Sequence, residues 1–117
     1  MTEKYEVLNV WEKSHKATLK IYKLTQRFPK EEMYGLISQL RRSASSIPTN
    51  LAEGRSRKNK SEYRQFVNIA LGSCGETTYH LLLSKDLGFI SNDQYNELQK
   101  EYNEISKMLH GLYTSLK

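Results

Sequence analysis

The chain carries a single cysteine, Cys74, so no intrachain disulfide can form. Two prolines and six glycines among 117 residues are too few for a many-turned all-β fold. No apolar run approaches the roughly 18 residues that a membrane span needs. The opening Met1-Thr2-Glu3-Lys4 is not followed by the apolar segment of a secretory leader, so a reducing cytoplasm is the expected compartment. Histidine is also sparse. His15, His80 and His110 are scattered, with no pair at metal-ligand spacing, and neither metal nor cofactor is expected. Glu76 and His80 lie one helical turn apart and read as a structural or exposed pair. Cys74 falls on an apolar helix face, where a thiol is buried and inert. Gly72-Ser73-Cys74-Gly75 follows no strand and is not a nucleophile elbow. Residues 54–60 lack the glycine pattern of a phosphate-cradling loop. These absences leave no constellation for catalysis.

What is present is helical periodicity. Apolar content is only 38%, which suits long amphipathic helices that wet one face along their length. A first helix is expected over about Asn9 to Arg27, with Val10, Trp11, Ala17, Ile21, Tyr22 and Phe28 on one broad face. Phe28-Pro29 ends it, because the residue before proline is pushed out of helical geometry. A second helix is expected to start at once, with Glu31 and Glu32 at the positive end of its dipole. Its stripe is Met33, Leu36, Ile37, Leu40, Ala44, Ile47 and Leu51. Beside the stripe runs a polar row of Gln39, Ser43, Ser46 and Asn50, with Arg42 and Glu53 just beyond. Short polar residues there point to a second packed surface.

Pro48 removes a backbone donor and crowds the carbonyl of residue 44. The expectation is a kink, with the freed carbonyl taken by a hydroxyl of Ser45 or Ser46 or by water. Gly54 is expected to end the helix as a C-cap. Asn59 and Glu62 are spaced as a capping box for a third helix running to about Leu87. Gly72 and Gly75 are expected to let the small run Ser43-Ala44-Ser45-Ser46 come close. Gly88 fits the next C-cap, and Ser91 and Gln94 cap a fourth helix. That helix has the cleanest seam: Tyr95, Leu98, Tyr102, Ile105, Leu109, Leu112 and Leu116. The fold class is therefore all-α, an up-and-down antiparallel four-helix bundle with a proline-kinked second helix, in one domain.

Charge is unevenly spread. Between positions 41 and 64 the basic residues are Arg41, Arg42, Arg55, Arg57, Lys58, Lys60 and Arg64, against Glu53 and Glu62. This one segment holds the chain's whole net charge of +5. Such clustering favours an anionic partner, and arginine forks suit phosphate. Tyr63 is the only aromatic in the cluster, so base stacking is secondary, and no base-reading motif is present. Arg42 can instead pair with Glu53 or a neighbouring subunit. Asn50 and Glu53 read as hydrogen-bonding groups inside or between subunits rather than as a site. Two functions follow: a nucleic-acid-binding module acting by charge, or a scaffold docking an acidic protein.

The run Gln39-Leu40-Arg41-Arg42-Ser43-Ala44-Ser45-Ser46-Ile47-Pro48-Thr49-Asn50-Leu51-Ala52-Glu53-Gly54 resembles the signature of a bacterial family. Its members are four-helix bundles encoded in intervening sequences of 23S ribosomal RNA genes. Val10-Trp11, Phe28-Pro29, Tyr34-Gly35-Leu36, Glu62-Tyr63-Arg64-Gln65-Phe66 and Ala70-Leu71-Gly72-Ser73 also match that pattern, while Ser14 and Ser43 stand where alanine is more usual. The resemblance implies a ring of five subunits. It also implies kinship with the accessory protein of diversity-generating retroelements, which binds nucleic acid through a basic surface and engages a reverse transcriptase.

Overall fold

The computed structural model describes the backbone of residues 2–117 and the side chains from Asn9 onward. Four α-helices follow one another: α1 Thr2–Thr25, α2 Leu36–Arg55, α3 Lys60–Asp86 and α4 Asn92–Ser115. Each packs on its neighbours in sequence, and α1 also packs on α4, which closes an antiparallel bundle measuring 43 × 25 × 18 Å. Helix α1 starts well before Asn9, since residues 2–8 contain neither glycine nor proline to stop it. The α4 seam is buried as its spacing requires: Tyr102, Ile105 and Leu109 are fully covered, and Tyr95 is half-buried.

The connections correct two expectations. The second helix does not begin at Pro29. A single 3-10 turn, Lys30–Glu32, comes first, and Gly35 then leaves helical geometry at φ −115° and ψ −110°. Met33 is consequently 47% exposed and Tyr34 almost wholly exposed, outside the stripe assigned to Met33. Glu32 still serves the helix, because its carboxylate accepts the Leu36 N–H at 3.2 Å. Gly54 is not a C-cap either. Helix α2 continues to Arg55, and Ser56 ends it in ordinary right-handed geometry. Gly54 is buried against α3, where a Cβ would lie 2.7 Å from Phe66 Cβ and 3.0 Å from Tyr63 Cδ1. Glycine is needed there for close approach, not for a turn. By contrast Gly88, at φ +83°, closes α3 as expected, with Gly88 N–H donating to Lys85 O and Phe89 N–H to Ser84 O. Phe89 packs on Phe28, with ring centroids 5.4 Å apart.

Helix α2 runs through Pro48 without a break. The carbonyl that proline frees, Ala44 O, accepts from Thr18 Oγ1 of α1 at 3.2 Å. Thr18 shares the same proton with Ser14 O at 2.7 Å. The donor is thus neither Ser45 nor Ser46. Ser45 donates to Arg42 O, and Ser46 meets Ser73 of α3 at 2.8 Å.

The polar row is a seam between α2 and α3. Thr77 Oγ1 donates to Ser43 Oγ at 2.8 Å, and Asn50 Nδ2 donates to both Ser46 O and Ser46 Oγ. Gly72 and Gly75 take no part in it: a Cβ on either meets nothing within 4 Å. The buried face of α3 is Tyr63, Val67, Ala70, Cys74, Thr77, Leu81 and Ser84. Ile69 lies outside it, 51% exposed. Buried hydroxyls elsewhere return to their own helix, as Thr25 does to Ile21 O and Ser84 to His80 O, so few polar groups are stranded.

Candidate nucleic-acid interface

The seven basic residues of the 41–64 segment do not form one patch. Arg41 and Arg42 sit some thirteen residues before Arg55 on α2, roughly 20 Å away at the α-helical rise. Adjacent positions on a helix also diverge by about 100°. Arg41 turns towards α1, where Nε donates to Thr25 Oγ1 at 2.9 Å and the guanidinium lies 4.8 Å from the Tyr22 ring centroid. Arg42 turns towards α3, pairing with Glu76 and Gln39 and not with Glu53. Both arginines are therefore engaged within the bundle.

The remaining cations gather at the α2–α3 turn. Arg55 ends α2, Arg57 and Lys58 form the turn, and Lys60 opens α3; all four are exposed. Among the described residues, Arg55, Lys58 and Lys60 have no ion-pair partner. Arg57 reaches Glu53 at 3.4 Å and lies over Phe66 at 4.9 Å, so its charge is partly met. Arg64 is tied to the end of α4. Its guanidinium lies 3.8 Å from the Tyr113 ring centroid, and Nε donates to Tyr113 O at 3.2 Å. Asn59 fixes the turn by accepting the Glu62 N–H at 2.8 Å, which presents the positive end of α3 on the same side.

Other candidate chemistry is structural. Cys74 is buried, donates to Tyr102 O at 3.4 Å, and burial pushes its thiol up to about 11. Glu76 is committed to Arg42, and burial holds His80 below the usual histidine range despite Glu76 nearby. Among the described residues no group of three or more His, Cys, Asp or Glu side chains could hold a metal ion, and no helix is long and apolar enough to cross a membrane.

One feature escaped the periodicity. Trp11 and Tyr22, placed on the core face of the first helix, are 37% and 41% exposed. They line an open groove of about 710 Å³ between α1 and α2, together with His15, Pro48, Glu53 and Ser56. The signal was available, since positions 11, 15 and 22 share a helix face and all carry rings. Only the angular offset of that face from Ile21 and Ala17 distinguishes a groove wall from core.

Fold and turn together define a small all-helical bundle with a cationic end. The family model described as 23S rRNA-intervening sequence protein matches residues 6–111, and the chain belongs to that family. It is also similar in structure to a crystallised protein of unknown function from the S23 ribosomal protein family of Bacteroides thetaiotaomicron. That similarity has a TM-score of 0.86 at 24% identity, covering 93% of this chain and 98% of the other. No functionally curated protein matches the sequence.

Proposed function

We propose that this protein is a non-catalytic nucleic-acid-binding module, and that the α2–α3 turn is its contact with the phosphate backbone. The observation that carries the reading is the trio Arg55, Lys58 and Lys60, exposed on one short turn and unpaired among the described residues. Arg57 joins them by exchanging Glu53 for a phosphate oxygen. Arg41, Arg42 and Arg64 stand outside this turn and take no part in its phosphate contact. Reversing Arg55, Arg57 and Lys58 to glutamate tests this. RNA affinity should fall at least tenfold while the helical circular dichroism and melting curve stay intact. Wild-type affinity in that variant would remove the turn from the interface.

The family resemblance to a five-membered ring gains a specific support in α3. Interior helical glycines cost about 1 kcal/mol each relative to alanine. Gly72 and Gly75 bear that cost with no neighbour in their own chain using the space. The exposed Ile69 and Tyr79 flank them. We assign this face of α3 to a second copy of the chain, which would repeat the cationic turn around an assembly. Light scattering of the wild type against Tyr79→Glu checks it: the assembly should dissociate, and an unchanged mass would exclude the face.

A further inference from the structure

We propose that the groove between α1 and α2 is a path for a single-stranded nucleic acid, with Trp11 as its stacking plate. The inference rests on the nucleic-acid reading above and extends it from phosphate to base. Trp11 stacks on His15 with centroids 5.2 Å apart and planes 10° from parallel, which fixes the indole plane while leaving over a third of the residue open. Every base has a π-face, so a fixed aromatic plate accepts any sequence once the base is out of a duplex. Tyr22 stands at the other end of the groove, roughly 16 Å along α1 at the helical rise. Its ring is covered by the Arg41 guanidinium at 4.8 Å, which pairs an aromatic surface with a cation in one place.

Charge complementarity decides the occupant. The groove is bracketed by cations: Arg41 at the Tyr22 end, and Arg55 and Arg57 on either side of Ser56 at the Trp11 end. Its one carboxylate among the lining residues, Glu53, is already held by Arg57. Pro48 supplies an apolar floor between the two rings. A polyanion bearing flat apolar faces fits this alternation, whereas an apolar helix would strand the flanking charges. A duplex cannot present its bases to Trp11 without unpairing, so single strands are preferred.

Trp11 is the only tryptophan in the chain, so its emission reports on the groove directly. The probes are an end-labelled oligothymidylate, the same length of base-free deoxyribose phosphate, and a duplex. Binding is followed by label anisotropy and by Trp11 emission. The oligothymidylate should quench Trp11, and the base-free strand should bind without quenching. Trp11→Ala should lose about tenfold affinity for the oligothymidylate and none for the base-free strand. Ala52→Glu, on the exposed rim of the groove, supplies a second test that spares the indole, and should also weaken the oligothymidylate. Binding without quenching, at wild-type affinity in both variants, overturns the groove while the cationic turn stands. No binding of any probe overturns both readings. Emission that shifts with protein concentration alone shows a second copy covering the groove and overturns the proposal.

Discussion

Replacing Gly54 with alanine should destabilise the protein, against the usual direction for a helical glycine. An alanine at an ordinary helix position gains up to about 1 kcal/mol over glycine. At Gly54 the gain is smaller, since α2 ends one residue later. The new methyl would meet Phe66 Cβ at 2.7 Å and Tyr63 Cδ1 at 3.0 Å, where carbon atoms prefer about 3.5–4.0 Å. Phe66 Cβ is anchored to the α3 backbone and Tyr63 is buried, so neither can step aside by a rotamer change alone. Relief requires α2 and α3 to separate at the turn, an overpacking cost of about 1–3 kcal/mol. Gly111→Ala in α4, away from the face of α3 assigned to a second copy, is the control, because a Cβ there meets nothing within 4 Å. It should raise the stability of the isolated protomer by about 0.5–1 kcal/mol. Urea unfolding at fixed protein concentration separates the two, with midpoints moving in opposite directions at unchanged m. A Gly54→Ala variant as stable as the wild type would refute the close approach of α2 to α3.

Thr18→Val should cost about 1 kcal/mol, because it leaves Ala44 O with neither the Pro48 N–H nor the Thr18 hydroxyl; combining it with Pro48→Ala should recover part of the loss, and a double-mutant cycle in urea measures the coupling. Tyr102→Phe should be neutral or stabilising by up to about 1 kcal/mol in a thermal melt, since the buried phenol oxygen has no hydrogen-bond partner among the described residues. Stability should also fall at alkaline pH. The folded protein holds the Cys74 proton up to about 11, above the ordinary 9.0, so this contribution is full below pH 9 and is lost as pH rises through 11. Two pH units correspond to roughly 2–3 kcal/mol, and Cys74→Ala should flatten that limb of the profile. Tyr102, also raised by burial, keeps part of the slope in the variant.

The existence of the four helices, the N-caps of α3 and α4 and the end of α3 were legible because each signal was local. Asn59 and Ser91 take up the cap positions that their spacing announces, and Gly88 adopts the left-handed geometry its place requires. The α4 seam needed only its steps of three and four. What failed depended on partners across the bundle. Gly54 reads as a C-cap in isolation, and only the approach of Phe66 shows its purpose. The donor for Ala44 O comes from α1, twenty-six residues away, where no local rule points. The charge cluster was contiguous in sequence, yet helix geometry sends Arg41 and Arg42 to opposite neighbours and leaves only the turn to gather cations. Trp11 and Tyr22 belong to a broad apolar face whose edge becomes a groove wall once α2 is docked.

The most direct test of the cationic turn is the salt dependence of binding to single-stranded RNA. Four phosphate contacts per protomer, from Arg55, Arg57, Lys58 and Lys60, predict a slope of about −3 for log K against log salt. The variant with Arg55, Arg57 and Lys58 reversed should lose affinity and flatten towards zero slope. A steep wild-type slope that persists unchanged in that variant would place the phosphate contacts elsewhere on the protein.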